Sequence, residues 1–197
     1  MQYPRVHTKV FILGGSEIGE ASRYFHLLTQ DCGLVTSLAQ GVRSLSSKRR
    51  GHLNIYSLAD AVLVRGHLFW RLASASEEVS TAYLLRERSD LLSVLARLSS
   101  LVLRLVRGEE HNAVLFHVLE NTVQFIAHEK PSINQARECE LIAVVRILAC
   151  LGYISEKDRL QTFLKTTTFE PELISLARRE RHSLATEINH AIKASQL

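Results

Sequence analysis

The chain has 197 residues, a formal net charge of +4, 46% hydrophobic and 22% charged residues. That balance excludes a disordered polyelectrolyte and supplies apolar side chains for a sizeable core without staples. The three cysteines, Cys32, Cys139 and Cys150, form no CxxC pair, which argues against a disulfide framework or a zinc module of ordinary spacing.

Seven of the nine glycines precede residue 76. Residues 1–76 carry nine Lys+Arg against four Asp+Glu, and residues 77–197 fifteen against sixteen. The basic character therefore belongs to the first part. There the pattern predicts strands. VHTKVFIL (6–13) ends at Gly14-Gly15, and SRYFHLLT (22–29) follows. Asp31-Cys32-Gly33 reads as a tight hairpin, with LVTSLAQGV (34–42) returning from it. HLNIYSLADAVLV (52–64) and LFWRLASA (68–75) flank Arg65-Gly66-His67. Five short strands with glycine-bearing turns predict a small antiparallel barrel.

The second part reads as helices. SEEVSTAYLLRER (76–88) opens with a serine and two acids, as a helix start does. Apolar residues recur at helical spacing in 89–108, closed by Gly108, and in 111–129, stopped by Pro131. Residues 132–152 form a fourth helix ending at Gly152, and 171–197 a fifth with Pro171 in its first turn. Residues 153–170 are less regular. No apolar run reaches the roughly 18 to 20 residues of a membrane span. The N-terminus MQYPRVHTKV lacks a signal-peptide core. The expected location is cytoplasmic.

GGSEIG (14–19) lacks the lysine of a P-loop and the spacing of a dinucleotide fingerprint, and reads as a strand-to-strand turn. HEKPS (128–132) has no second histidine, and Pro131 breaks the helix that a zinc-protease motif needs. His111 and His117 do not share a helix face. His182 and His190 are too far apart to hold one ion directly. Glu17 and Glu20 have no acid–base partner at useful spacing. No catalytic residue, metal ligand or cofactor is predicted.

The strongest signal is GVRSLSSKRRGHL (41–53), which gathers Arg43, Lys48, Arg49 and Arg50 without an acid. It connects two predicted barrel strands, a place where such barrels present ligands. Its glycines and serines let it follow a phosphate backbone, and neutralising phosphates releases counterions. Tyr24, Phe25, Tyr56, Phe69 and Trp70 include candidate stacking surfaces for unpaired bases. Phe69 and Trp70 are adjacent, so in a strand they face opposite ways and only one is free to stack.

Four stretches taken together resemble the RecO family of bacterial recombination mediators. KVFILGGSEIGEASRYFHLLTQDCGLVTSLAQGVR (9–43) resembles that family's opening hairpin. SSKRRGHLNIYSLADAVLVRGHLFWRLASASEEVS (46–80) resembles its basic loop, strands and exit into a helix. ECELIAVVRILACLGYIS (138–155) and RRERHSLATEINHAIKASQ (178–196) resemble its LGY-ended and final helices. The resemblance is to a short, divergent member. Residues 153–170 contain no cysteine where many members carry a zinc module, Ser22 stands for an acid, and Gln40 for a lysine.

The resemblance implies an α+β chain, with an OB-fold DNA-binding barrel over residues 1–76 and an all-α helical domain over 77–197. It implies a non-enzymatic mediator of DNA repair and homologous recombination at the nucleoid. Such a protein binds single- and double-stranded DNA, anneals strands, and assists RecA loading with RecR. The acidic, phenylalanine-ended tail of single-stranded-DNA-binding protein is a further implied partner. The expected DNA-binding residues are Arg43, Lys48, Arg49 and Arg50, with Arg23 and Arg65 beside them. Arg97, Leu101, Arg104 and Leu105, close together at helical spacing, are the expected partner face. The alternative is an OB-fold adaptor working through protein contacts without strong DNA binding.

Overall fold

The computed structural model describes residues 4–42, 53–67, 69–154 and 158–194. Five strands come first: β1 (Arg5–Ile18), β2 (Ser22–Thr29), β3 (Gly33–Ala39), β4 (Leu58–Arg65) and β5 (Trp70–Val79). They close into a barrel in the order β1-β2-β3-β5-β4. Every pairing is antiparallel except β3 with β5, which is parallel. This is the OB-fold arrangement. Closure removes the sheet edges that would otherwise template aggregation.

The helices follow as α1 (Thr81–Leu84), α2 (Ser89–Leu105), α3 (Ala113–Glu129) and α4 (Ile133–Cys150). After them come α5 (Asp158–Leu164), α6 (Pro171–Arg179) and α7 (Arg181–Ala194). Local chemistry sets several of their ends. Asn112 caps α3 by accepting from the Leu115 amide at 2.9 Å. Ser132 and Gln135 form a capping box on α4. At the other end of α4, the Gly152 amide donates to Ala149 and the Tyr153 amide to Leu148, a Schellman termination.

The run VFIL (10–13) shows why β1 is apolar on successive positions. Val10 and Ile12 point into the barrel, with Phe25, Leu27, Val35 and Leu63. Phe11 and Leu13 point outward, into a second core with Leu95, Leu98, Val102 and Phe116. A strand buried on both faces loses the polar half of its alternation. The joint between barrel and helices is also polar. The Lys9 ammonium reaches Glu78 on β5 and Glu120 on α3, at 3.1 and 3.3 Å. Thr81 donates through its amide to the buried Ser57 hydroxyl at 3.3 Å.

Five sequence expectations are corrected here. Gly14-Gly15 is not a turn. β1 runs through it, with a bulge between Ile12 and Gly14. A side chain on Gly15 would lie 2.4 Å from the Tyr24 carbonyl oxygen, so the glycine permits close strand approach. SEEV (76–79) ends β5 rather than opening a helix, because Glu77 and Val79 pair with Ala59 and Leu58 on β4. α2 stops at Leu105, before Gly108, because Val106 takes extended backbone. The final helix is two: Glu180 leaves helical geometry (φ −98°, ψ 13°) between α6 and α7. Residues 158–164, left irregular by pattern, form α5.

Among the described residues, no helix is long and apolar enough to cross a membrane. Cys139 is buried in the helical core, and burial pushes its thiol up to about 12. It is an inert packing residue at neutral pH.

Candidate nucleic-acid interface

Arg43, Lys48, Arg49 and Arg50 lie outside the described residues. Their flanks do not. Val42 and Leu53 are buried, and both line a cleft of about 440 Å³ at the barrel surface. Arg23, at the start of β2, lines the same cleft with Glu17, Glu20 and Asn54. Its guanidinium lies 5.2 Å from the centre of the Phe25 ring. Its Nε is buried without a hydrogen-bond partner among the described residues. Arg23 thus lies beside Val42 and Leu53, the described residues that flank the basic connection, because β2 and β3 pair Arg23 with Ala39.

Arg65 is engaged elsewhere. It ion-pairs with Glu109 at 3.3 Å and lies 5.4 Å from the Trp70 ring centre. Glu109, on the connection between α2 and α3, also accepts from Trp70 Nε1 at 2.9 Å. Arg65 therefore helps dock that connection on the barrel, and its charge is partly compensated.

Of the five aromatic residues, Phe25 and Trp70 are buried in the barrel and Tyr56 packs against the helical core. Tyr24 and Phe69 remain on the outer surface, their ring centres 5.1 Å apart at 51°. Phe69 is 43% exposed.

The expected partner face on α2 is not assembled. Leu105 is in the core and Leu101 packs against it. The Arg97 guanidinium is held by both carboxylate oxygens of Glu140 on α4, at 2.5 and 2.6 Å. Only Arg104 is freely exposed. The reason is that the apolar stripe of α2 is consumed by packing: Leu98, Val102 and Leu105 all face the core.

A different surface has the required character. Between α4 and α7 runs an apolar groove of about 390 Å³, floored by Leu141, Val144, Ala185 and Ile188. Arg137, Glu140 and Arg181 stand at its rim. Arg181 is fixed there by the carboxylate of the buried Glu138, at 2.7 and 3.0 Å. The floor residues come from segments more than 40 positions apart, so no local pattern announces the groove. The only sequence hint was the i, i+3 apolar spacing of 141/144 and 185/188 on helices that had first to be paired.

Among the described residues, no group of three His, Cys, Asp or Glu side chains could hold a metal ion. No protein-family model matches the chain. It is similar to DNA repair protein RecO of Dehalococcoides mccartyi, 28% identical over 170 residues, covering 84% of this chain and 65% of that protein. It is also similar to DNA repair protein RecO of Gloeothece citriformis, 29% identical over 142 residues, 72% of this chain and 49% of that protein. A third relative, DNA repair protein RecO of Alkaliphilus metalliredigens, is 26% identical over 125 residues, 64% of this chain and 50% of that protein. The chain thus spans between about half and two thirds of the length of these relatives. The OB-order barrel, the helical part behind it and these similarities together support a divergent relative of the RecO proteins.

Proposed function

We propose that the protein is a non-enzymatic mediator of DNA repair and homologous recombination, working in the cytoplasm at the nucleoid. It binds single- and double-stranded DNA, promotes annealing, and assists RecA loading with RecR. The observation that carries this reading is a connection with four positive charges and no acid, inserted between β3 and β4 of an OB barrel, in a chain similar to DNA repair protein RecO. Two strands held on one basic surface repel each other less, which speeds their encounter. The test is a titration with single-stranded DNA at 50 and 200 mM salt. Four phosphate contacts predict a log–log slope near −3 and a roughly 50-fold loss of affinity. Absent or salt-insensitive binding would leave protein contacts as the working surface and favour the adaptor reading.

The α4–α7 groove is the proposed seat of the acidic, phenylalanine-ended tail of single-stranded-DNA-binding protein. Its apolar floor suits an aromatic ring, and Arg137 on its rim suits an acid, whereas Arg181 is paired with Glu138 and Glu140 with Arg97. A labelled peptide with that chemistry should bind the full chain and lose affinity as salt rises. Removal of its terminal phenylalanine should cost at least about ten-fold, as should Val144→Glu, which puts a charge on the floor. Equal binding by the Val144→Glu protein would remove the groove from consideration.

A further inference from the structure

We infer that Tyr24 and Phe69 form a stacking platform for unpaired bases, and that this pair makes the barrel distinguish single strands from duplex. The inference rests on DNA binding by the barrel and assigns a division of labour within it. The basic connection attracts phosphates of either form. The aromatic pair reads whether the bases are free.

The placement follows from register. Tyr24 on β2 pairs with Leu38 on β3, and Leu38 pairs with Arg71 on β5. This row crosses the outer surface of three neighbouring strands. Tyr24 and Leu38 are half-buried, and Arg71 is exposed. Phe69 precedes β5 on the turn from β4, and its ring reaches back over the row to Tyr24. The outer face of strands 2 and 3, with the loop between strands 4 and 5, is where OB barrels take oligonucleotides.

The turn is built to hold Phe69 there. The Gly66 amide donates to the Phe69 carbonyl at 3.1 Å. A side chain on Gly66 would meet that same oxygen at 2.5 Å, so only glycine closes the turn this tightly. The buried Trp70, tied to Glu109, anchors the next residue. The carbonyl of Phe69 and the residue after it are therefore held while its ring stays partly exposed.

A ring 43% exposed, with a second ring 5.1 Å from its centre, offers an aromatic face on which a base can stack. Arg71 on the same face points to an anionic occupant. A nucleobase attached to a phosphate chain satisfies both. Bases in a duplex are already stacked on one another and present no free face.

The test uses the full chain, a 30-nucleotide oligothymidine and a duplex of equal length. Phe69→Ala and Tyr24→Ala should each weaken single-strand binding roughly ten-fold. Duplex binding should change less than about two-fold, and the salt slope should not move, because no phosphate contact is lost. Tyr24→Phe should bind as wild type. Phe69→Leu, which keeps apolar volume at the turn without an aromatic face, should show the Phe69→Ala loss while retaining wild-type thermal unfolding. Equal loss for both DNA forms, or no loss from either ring in a protein that unfolds normally, overturns the platform and leaves DNA binding standing. A wild-type protein that binds neither form overturns both.

Discussion

Arg146→Ala is expected to destabilise the folded chain by about 3–5 kcal/mol, the range for removing a buried charged hydrogen-bond donor that other groups depend on. Arg146 is 2% exposed, inside the helical core. Its Nε donates to the Phe163 carbonyl at 2.8 Å, Nη1 to Thr167 at 2.9 Å and Nη2 to Thr168 at 3.0 Å. The guanidinium also lies 5.0 Å from the Phe169 ring centre. One side chain on α4 thus satisfies three carbonyls that cannot pair within a helix or sheet, and it determines the course of residues 163–169 between α5 and α6. Burial pulls its pKa down to about 10, which still leaves it charged at neutral pH. Alanine would strand the three acceptors and leave a cavity. Arg146→Lys should recover only part of the loss, because an ammonium lacks the planar fork that spans three acceptors. Urea unfolding monitored by circular dichroism measures both. An Arg146→Ala protein within about 1 kcal/mol of wild type would show that the carbonyls find other partners.

The second large effect is on DNA. The triple substitution Lys48→Ala/Arg49→Ala/Arg50→Ala should weaken binding about equally for unrelated sequences, since phosphate contacts carry no sequence information. The salt slope should become shallower by up to roughly 2 for single strands and 3 for duplex. At 50 mM salt the affinity loss should be larger than at 200 mM, because screening has already removed part of what the mutation removes. Thermal unfolding should stay within the ordinary range for surface substitutions, about 0.5 kcal/mol. Equal affinity and slope in the variant would move the phosphate contacts off Lys48, Arg49 and Arg50. Arg43 and cations on the barrel strands, among them Arg5, Arg23 and Arg71, would then be the next to substitute.

The two predictions draw on different information. The charge on residues 43–50 is a property of sequence, because four cations without an acid within ten positions need no fold to be recognised. The barrel was legible too. Glycine-bearing turns and strand-length apolar runs are local signals, and all five strands overlap the runs where those signals lie, most with displaced ends. The displaced ends have a common cause. Gly14-Gly15 and SEEV look like breaks because local propensity is weak there, yet each is held in a strand by ladder hydrogen bonds from a neighbour.

Arg65, Arg97 and Leu105 illustrate what the chain alone withheld. Each carries the residue type expected of a binding surface, yet Arg65 and Arg97 are ion-paired at the surface with Glu109 and Glu140, and Leu105 is in the core. Whether a charge is available depends on partners tens of residues away, and helical spacing records only neighbours within a turn or two. The α4–α7 groove and the Tyr24–Phe69 pair are the converse: residues unremarkable in order, made into surfaces when helices pack and a barrel closes. Sequence determined the barrel, the helices and the place of greatest positive charge, because those follow from local composition and periodicity. Tertiary packing alone decided which arginines are free, which aromatic rings face solvent and where an apolar groove opens, because each is a relation between segments that only folding brings together.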